Sequence, residues 1–138
     1  MKRILLIAML LVLLCGCGGA VEVPMTADFA ETDMVVDYMF IAEESEYISY
    51  IIFTAEDNVK DVRVYAMEFV ENGFVPAQEL YAADAMRKGE RLLGGVVFWG
   101  DMTTYGMSLT DSSGAAHSYE IIMSGKDGSL IFNEVSDE

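Results

Sequence analysis

His117 is the one histidine in the chain, and it follows Asp111, Ser112, Ser113 and Gly114, so a Ser-His-Asp hydrolytic set is the first chemistry to consider. Such a set needs a serine hydroxyl on one ring nitrogen and a carboxylate on the other. The nucleophile elbow G-x-S-x-G is absent, and serines beside Asp and Gly are what a tight turn selects for its own geometry. These residues therefore read as a turn, and no catalytic residue is assigned. Zinc draws mostly on Cys and His, and a single histidine with two cysteines, Cys15 and Cys17, both close to the start of the chain, cannot build such a site. Calcium asks for six to eight oxygens in a tight cage. Glu56, Asp57, Asn58 and Asp61 crowd one stretch, with Asp111 and Asp127 in two others, but no EF-hand loop is present and the residue types are those of hairpin turns. The expectation is no metal and no cofactor.

Acids abound, so residue type alone allows a carboxylate pair for glycoside hydrolysis, with Asp101 and Glu120 as candidates. A small sandwich leaves little room for a cleft flanked by two carboxylates. Phe98, Trp99, Tyr105 and Tyr119 could line a glycan or protein platform, although aromatic residues in such a chain more often fill the core. The expectation is a protein that is not an enzyme.

The elements that must position these residues are short apolar runs broken by turn chemistry. Strands are expected at 34–41, 47–54, 61–70, 77–85, 91–99, 104–110, 116–123 and 129–135, with E-D-N, E-N-G, K-G-E, D-S-S-G and K-D-G between them. In T-Y-G-M-S-L-T, Tyr105, Met107 and Leu109 share one face and Thr104, Gly106, Ser108 and Thr110 the other, the period of two of a half-buried strand. D-V-R-V-Y-A-M-E-F-V is apolar on both parities and reads as a central strand. The run A-Q-E-L-Y-A-A-D-A-M is ambiguous, because its residues are good helix formers. Seven or eight short strands without a clear helix predict an all-β chain folded as an antiparallel two-sheet sandwich.

The first residues have a different logic. Lys2 and Arg3 precede an unbroken apolar run from Ile4 to Leu14, too short to span a bilayer, which needs about 20 such residues. The run exits through Leu14-Cys15-Gly16-Cys17, which resembles the lipobox of bacterial lipoproteins. That resemblance implies a signal peptide at 1–16, lipidation at Cys17, and an exported protein held at the cell membrane or the outer membrane. Residues 17–33, with Pro24 and scattered acids, read as a lipidated tether, leaving 34–138 as one sandwich domain. The formal net charge of −15 at pH 7 becomes more negative once Lys2 and Arg3 are removed with the leader. Such a charge repels phosphate backbones and anionic headgroups, so no nucleic acid partner is expected.

Asp101, Thr103, Tyr105 and Met107 occur at alternate positions, and this spacing resembles the tyrosine corner of immunoglobulin-like and fibronectin-type sandwiches. The resemblance implies that the Tyr105 hydroxyl bonds back to upstream backbone. Met107 stands where the family has a cysteine. The combined expectation is a membrane-anchored surface lipoprotein whose domain binds an unknown protein or glycan. Its alternatives are a small carbohydrate-active envelope enzyme and an inhibitor of a cationic enzyme.

Overall fold

The computed structural model describes residues 23–98 and 105–135. Cys15 and Cys17, the leader, Trp99, Asp101 and Thr103 lie outside them. Among the described residues nine strands follow in chain order: β1 (Met25–Phe29), β2 (Tyr38–Ile41), β3 (Ser49–Ala55), β4 (Val59–Val70), β5 (Gly73–Met86), β6 (Arg91–Val96), β7 (Tyr105–Thr110), β8 (Ala116–Met123) and β9 (Leu130–Glu134). They form a four-stranded sheet in the order β1-β3-β6-β2 and a five-stranded sheet in the order β5-β4-β7-β8-β9. The fold is an all-β sandwich of two sheets.

Alternation sets the interior. Ile51, Phe53 and Ala55 of β3 and Leu92 and Val96 of β6 face Val62 and Val64 of β4, Met107 and Leu109 of β7, and Tyr119 and Ile121 of β8, all of them buried. At roughly 25 cal/mol per Å² of apolar surface, these side chains supply the main driving force, as they must where no described residue is a cysteine. Two adjacent glycines let the sheet be crowded on both faces. A Cβ on Gly94 would stand 2.7 Å from the Phe40 ring inside, and one on Gly95 would stand 2.6 Å from the Ile41 side chain outside.

Immunoglobulin-like domains order their strands A-B-E-D in one sheet and C-F-G in the other. Here β1-β3-β6 take the A-B-E places and β4-β7-β8 the C-F-G places, with β5 added beside β4 and β9 beside β8. The D place is filled by β2. Because β2 precedes the strand in the B place, it reaches this edge by crossing the sheet and pairs with β6 in parallel, Tyr38 facing Leu92 and Ile41 facing Gly95. The expected all-antiparallel pairing is corrected at this one edge. The crossing segment, residues 30–37, forms a strap over the outer face. It is fastened by Ala30 N–H to Tyr50 O (2.8 Å), Asp37 N–H to Arg91 O (3.0 Å) and Arg91 N–H to Asp37 Oδ2 (2.9 Å).

Three further expectations change. Residues 25–29, assigned above to the tether, pair with β3 from Met25–Ala55 to Phe29–Ile51, and Met25 is fully buried. The strand expected at 34–41 begins only at Tyr38, its first half being strap. The ambiguous run after residue 76 is strand, because β5 pairs with β4 along nearly its whole length and ladder bonds outweigh differences of a few tenths of a kcal/mol in helix propensity.

Tyr105 opens β7, directly after the gap in the described residues. Its hydroxyl donates to Val97 O (2.9 Å) and accepts from Val97 N–H (3.0 Å), while its ring meets Phe98 edge-on at 6.0 Å. The hydroxyl thus ties the end of β6 to the start of β7.

Candidate functional site

His117 sits at the mouth of the sandwich on β8, with Asp111 from the β7–β8 turn on one side and Glu134 from β9 on the other. Nε2 lies 2.7 Å from Asp111 Oδ2, and Nδ1 lies 2.5 Å from Glu134 Oε1. Two carboxylates can both accept only from a ring that carries both protons. Hydrogen bonding to Asp111, reinforced by Glu134, accordingly raises the His117 pKa. Asp111 is held well below the usual carboxylate range, chiefly by the Ser113 hydroxyl at 2.6 Å and then by His117. The order of groups is therefore serine, carboxylate, imidazole. A hydrolytic set needs the serine on the imidazole, and here both ring nitrogens are committed elsewhere, so the arrangement fastens strands and offers no general base.

Asp57 and Asp127 are spent chiefly on bonds within and between turns. Asp57 accepts from Asn58 N–H (2.8 Å) and Ser112 N–H (2.9 Å), and these bonds, led by those from Ser112, lower its pKa. Asn58 Oδ1 accepts from Lys88 N–H, and Glu56 from the Thr26 hydroxyl. Asp127 accepts from both the N–H and the hydroxyl of Ser129. Among the described residues no cluster of three or more His, Cys, Asp or Glu side chains is arranged to hold a metal.

Among the described residues, the aromatic candidates Phe98, Tyr105 and Tyr119 are not gathered into an exposed platform, and Trp99 lies outside those residues. Tyr105 and Tyr119 are core residues, and Phe98 packs against Tyr105. Tyr119 stacks on Phe132 at 4.4 Å, its hydroxyl is buried without a partner, and burial pushes its pKa up to about 12. Of the carboxylate pair, Glu120 lies on β8, facing Gly106 and Asn133 in the ladder, and Asp101 lies outside the described residues.

What the sequence reading missed is the far half of the β4–β5 hairpin. The described part of β7 accompanies β4 only from Lys60 to Ala66, whereas β4 and β5 stay paired to Val70–Gly73. Among the described residues, Met67 to Pro76 therefore form a two-stranded arm. Phe69 and Phe74 pack ring to ring at 5.2 Å, yet Phe69 remains 63%, Val75 40% and Val70 38% exposed. Met25 pairs with Ala55, and the chain turns from there into Val59, so β4 climbs away from the end at which the chain enters the sandwich. At about 3.3 Å per residue the arm tip lies roughly 35 Å from that end. The run M-E-F-V-E-N-G-F-V held a signal for it, apolar side chains packed closely around a two-residue turn. Against known proteins, the chain matches no family model, no curated protein and no solved structure.

Proposed function

We propose that this protein is an exported lipoprotein, acylated at Cys17, whose sandwich is a non-catalytic module that binds an envelope protein or glycan through the β4–β5 arm. The observation that carries this reading is the arm itself. A two-stranded ribbon gains little stability in water, and apolar side chains left open at its tip favour a partner that covers them. A lipid at the opposite end would hold the arm outward. The lipobox supports the anchor, and the negative charge disfavours nucleic acid.

The arm is tested by a photo-crosslinking residue placed at Glu68 in the full chain, in intact envelopes. The expected result is a discrete adduct, lost in Phe69→Ser/Phe74→Ser and absent when the crosslinker stands at Lys60. Equal adducts from both positions would contradict the reading. The anchor is tested separately: Cys17→Ala should abolish lipid labelling and release the protein from membranes, while Cys15→Ala should leave labelling intact. The reverse pattern would place the lipid on Cys15.

A further inference from the structure

The outer face of the four-stranded sheet holds a second stretch of uncovered apolar surface, and its border carries charge of one sign. Between the strap and the sheet lies an open hollow of about 330 Å³ whose wall includes Met34, Val36, Tyr50 and Leu93. On the other side of Tyr50 a hollow of about 240 Å³ is walled by Ile41, Ile48, Ser45 and Glu44. Tyr50 belongs to both and is 44% exposed. The strap contributes Glu31, Asp33 and Asp37, and the turn after β2 contributes Glu44. From Ile4 to Val59 the chain contains no lysine or arginine. Arg91 borders a neighbouring hollow, where it stands among Asp28, Glu31 and Glu56.

Of the two hollows, the strap walls the first. It is bonded to the sheet at Ala30 and Asp37, and between them Asp33 takes a left-handed φ of 69°, a turn conformation that Asp tolerates better than most residues. Two apolar hollows with a tyrosine edge between them and acids around them complement a ligand with apolar side chains at intervals and positive charge beside them. An anionic membrane is repelled by the same acids, and a simple cation has no use for the hollows.

We propose that this face docks a cationic segment of a partner polypeptide. Its apolar side chains seat in the two hollows beside Tyr50, and its lysines or arginines meet the acids of the strap and the turn. An exposed tyrosine ring adds a favourable surface for such a cation. This site does not depend on the arm.

The test uses the full chain and a labelled Leu/Lys peptide patterned at the helical period, with a Gln/Lys peptide of identical charge as its counterpart, read by fluorescence anisotropy. The Leu/Lys peptide is expected to bind, and the Gln/Lys peptide to bind about tenfold more weakly or worse, since the hollows and not net charge alone provide the affinity. Tyr50→Arg should weaken binding by about tenfold, whereas Phe69→Arg, which adds the same charge on the arm, should change it by about twofold or less. If Tyr50→Arg lowers the thermal transition, Ile41→Arg decides, because that side chain is already 40% exposed. No binding, equal binding of the two peptides, or equal losses from the sheet and arm variants would overturn the proposal.

Discussion

The two halves of the β4–β5 hairpin are built from the same kinds of residue and meet different fates. In the lower half, Val62 and Val64 are fully buried because β7 lies beside β4 and the four-stranded sheet lies across from it. In the upper half, Phe69 packs on Phe74, yet Phe69, Val70 and Val75 all stay exposed. Apolar composition therefore does not by itself mark a core. Coverage by a third strand and an opposing sheet does, and where that coverage ends the same residue types become a surface for something else.

The largest effect that would sharpen this contrast comes from the strand that covers the lower half. Tyr105→Ala removes a buried ring at the head of β7 and should cost about 3 to 5 kcal/mol in denaturant unfolding. Tyr105→Phe keeps the ring, loses the bonds to Val97 and should cost about 1 kcal/mol. Equal and small losses from both would mean that β7 does not hold the lower half together.

A pH series gives a smaller effect. The folded pKa of His117 is raised above its unfolded value near 6.5, so its stabilisation is complete below that pH and is lost as pH rises through the raised value. The folded pKa of Asp111 is lowered, so its contribution is present above about 4 and is lost only as pH falls through the lowered value. The melting temperature should accordingly plateau between these limits and decline on the alkaline side, and His117→Gln should flatten that decline. An unaltered profile in the variant would show that the clamp contributes nothing. Smaller still is Tyr119→Phe. Its hydroxyl is buried without a partner, so removal should leave stability unchanged or raise it slightly, in contrast to Tyr105. A loss comparable to that of Tyr105→Phe would contradict this difference between the two tyrosines.

Much of the sandwich was legible because alternation and turn chemistry are local signals. Tyr105, Met107 and Leu109 show the period of two and face the core, and D-S-S-G forms the turn that its composition demands. β4 reads as apolar on both parities because Val62 and Val64 turn inward while Tyr65, Met67 and Phe69 lie on the opposite parity and stay partly or largely exposed. Other features depend on contacts far apart in sequence. Residues 25–29 look like linker until Ala55 and Ile51 are beside them, and nothing between residues 30 and 41 says that the chain will cross the sheet and pair in parallel with β6. The His117 clamp was half visible. Asp111 is six residues away and within the turn, but Glu134 arrives from another strand, and that second carboxylate turns an apparent triad into a fastening. The run M-E-F-V-E-N-G-F-V signalled the hairpin of the arm but not its exposure, which is a property of what fails to cover a residue.

If the upper half of the hairpin serves a partner and not the fold, the sandwich must stand without it. Replacing residues 68–75 with Asn-Gly joins Met67 to the Pro76 that it already faces, through a turn suited to a two-residue hairpin. A single cooperative thermal transition is expected, with a midpoint within about 2 °C of the parent chain, since surface changes away from buried features usually stay within about 0.5 kcal/mol. A large fall in the midpoint, or loss of cooperativity, would show that the arm is part of the core.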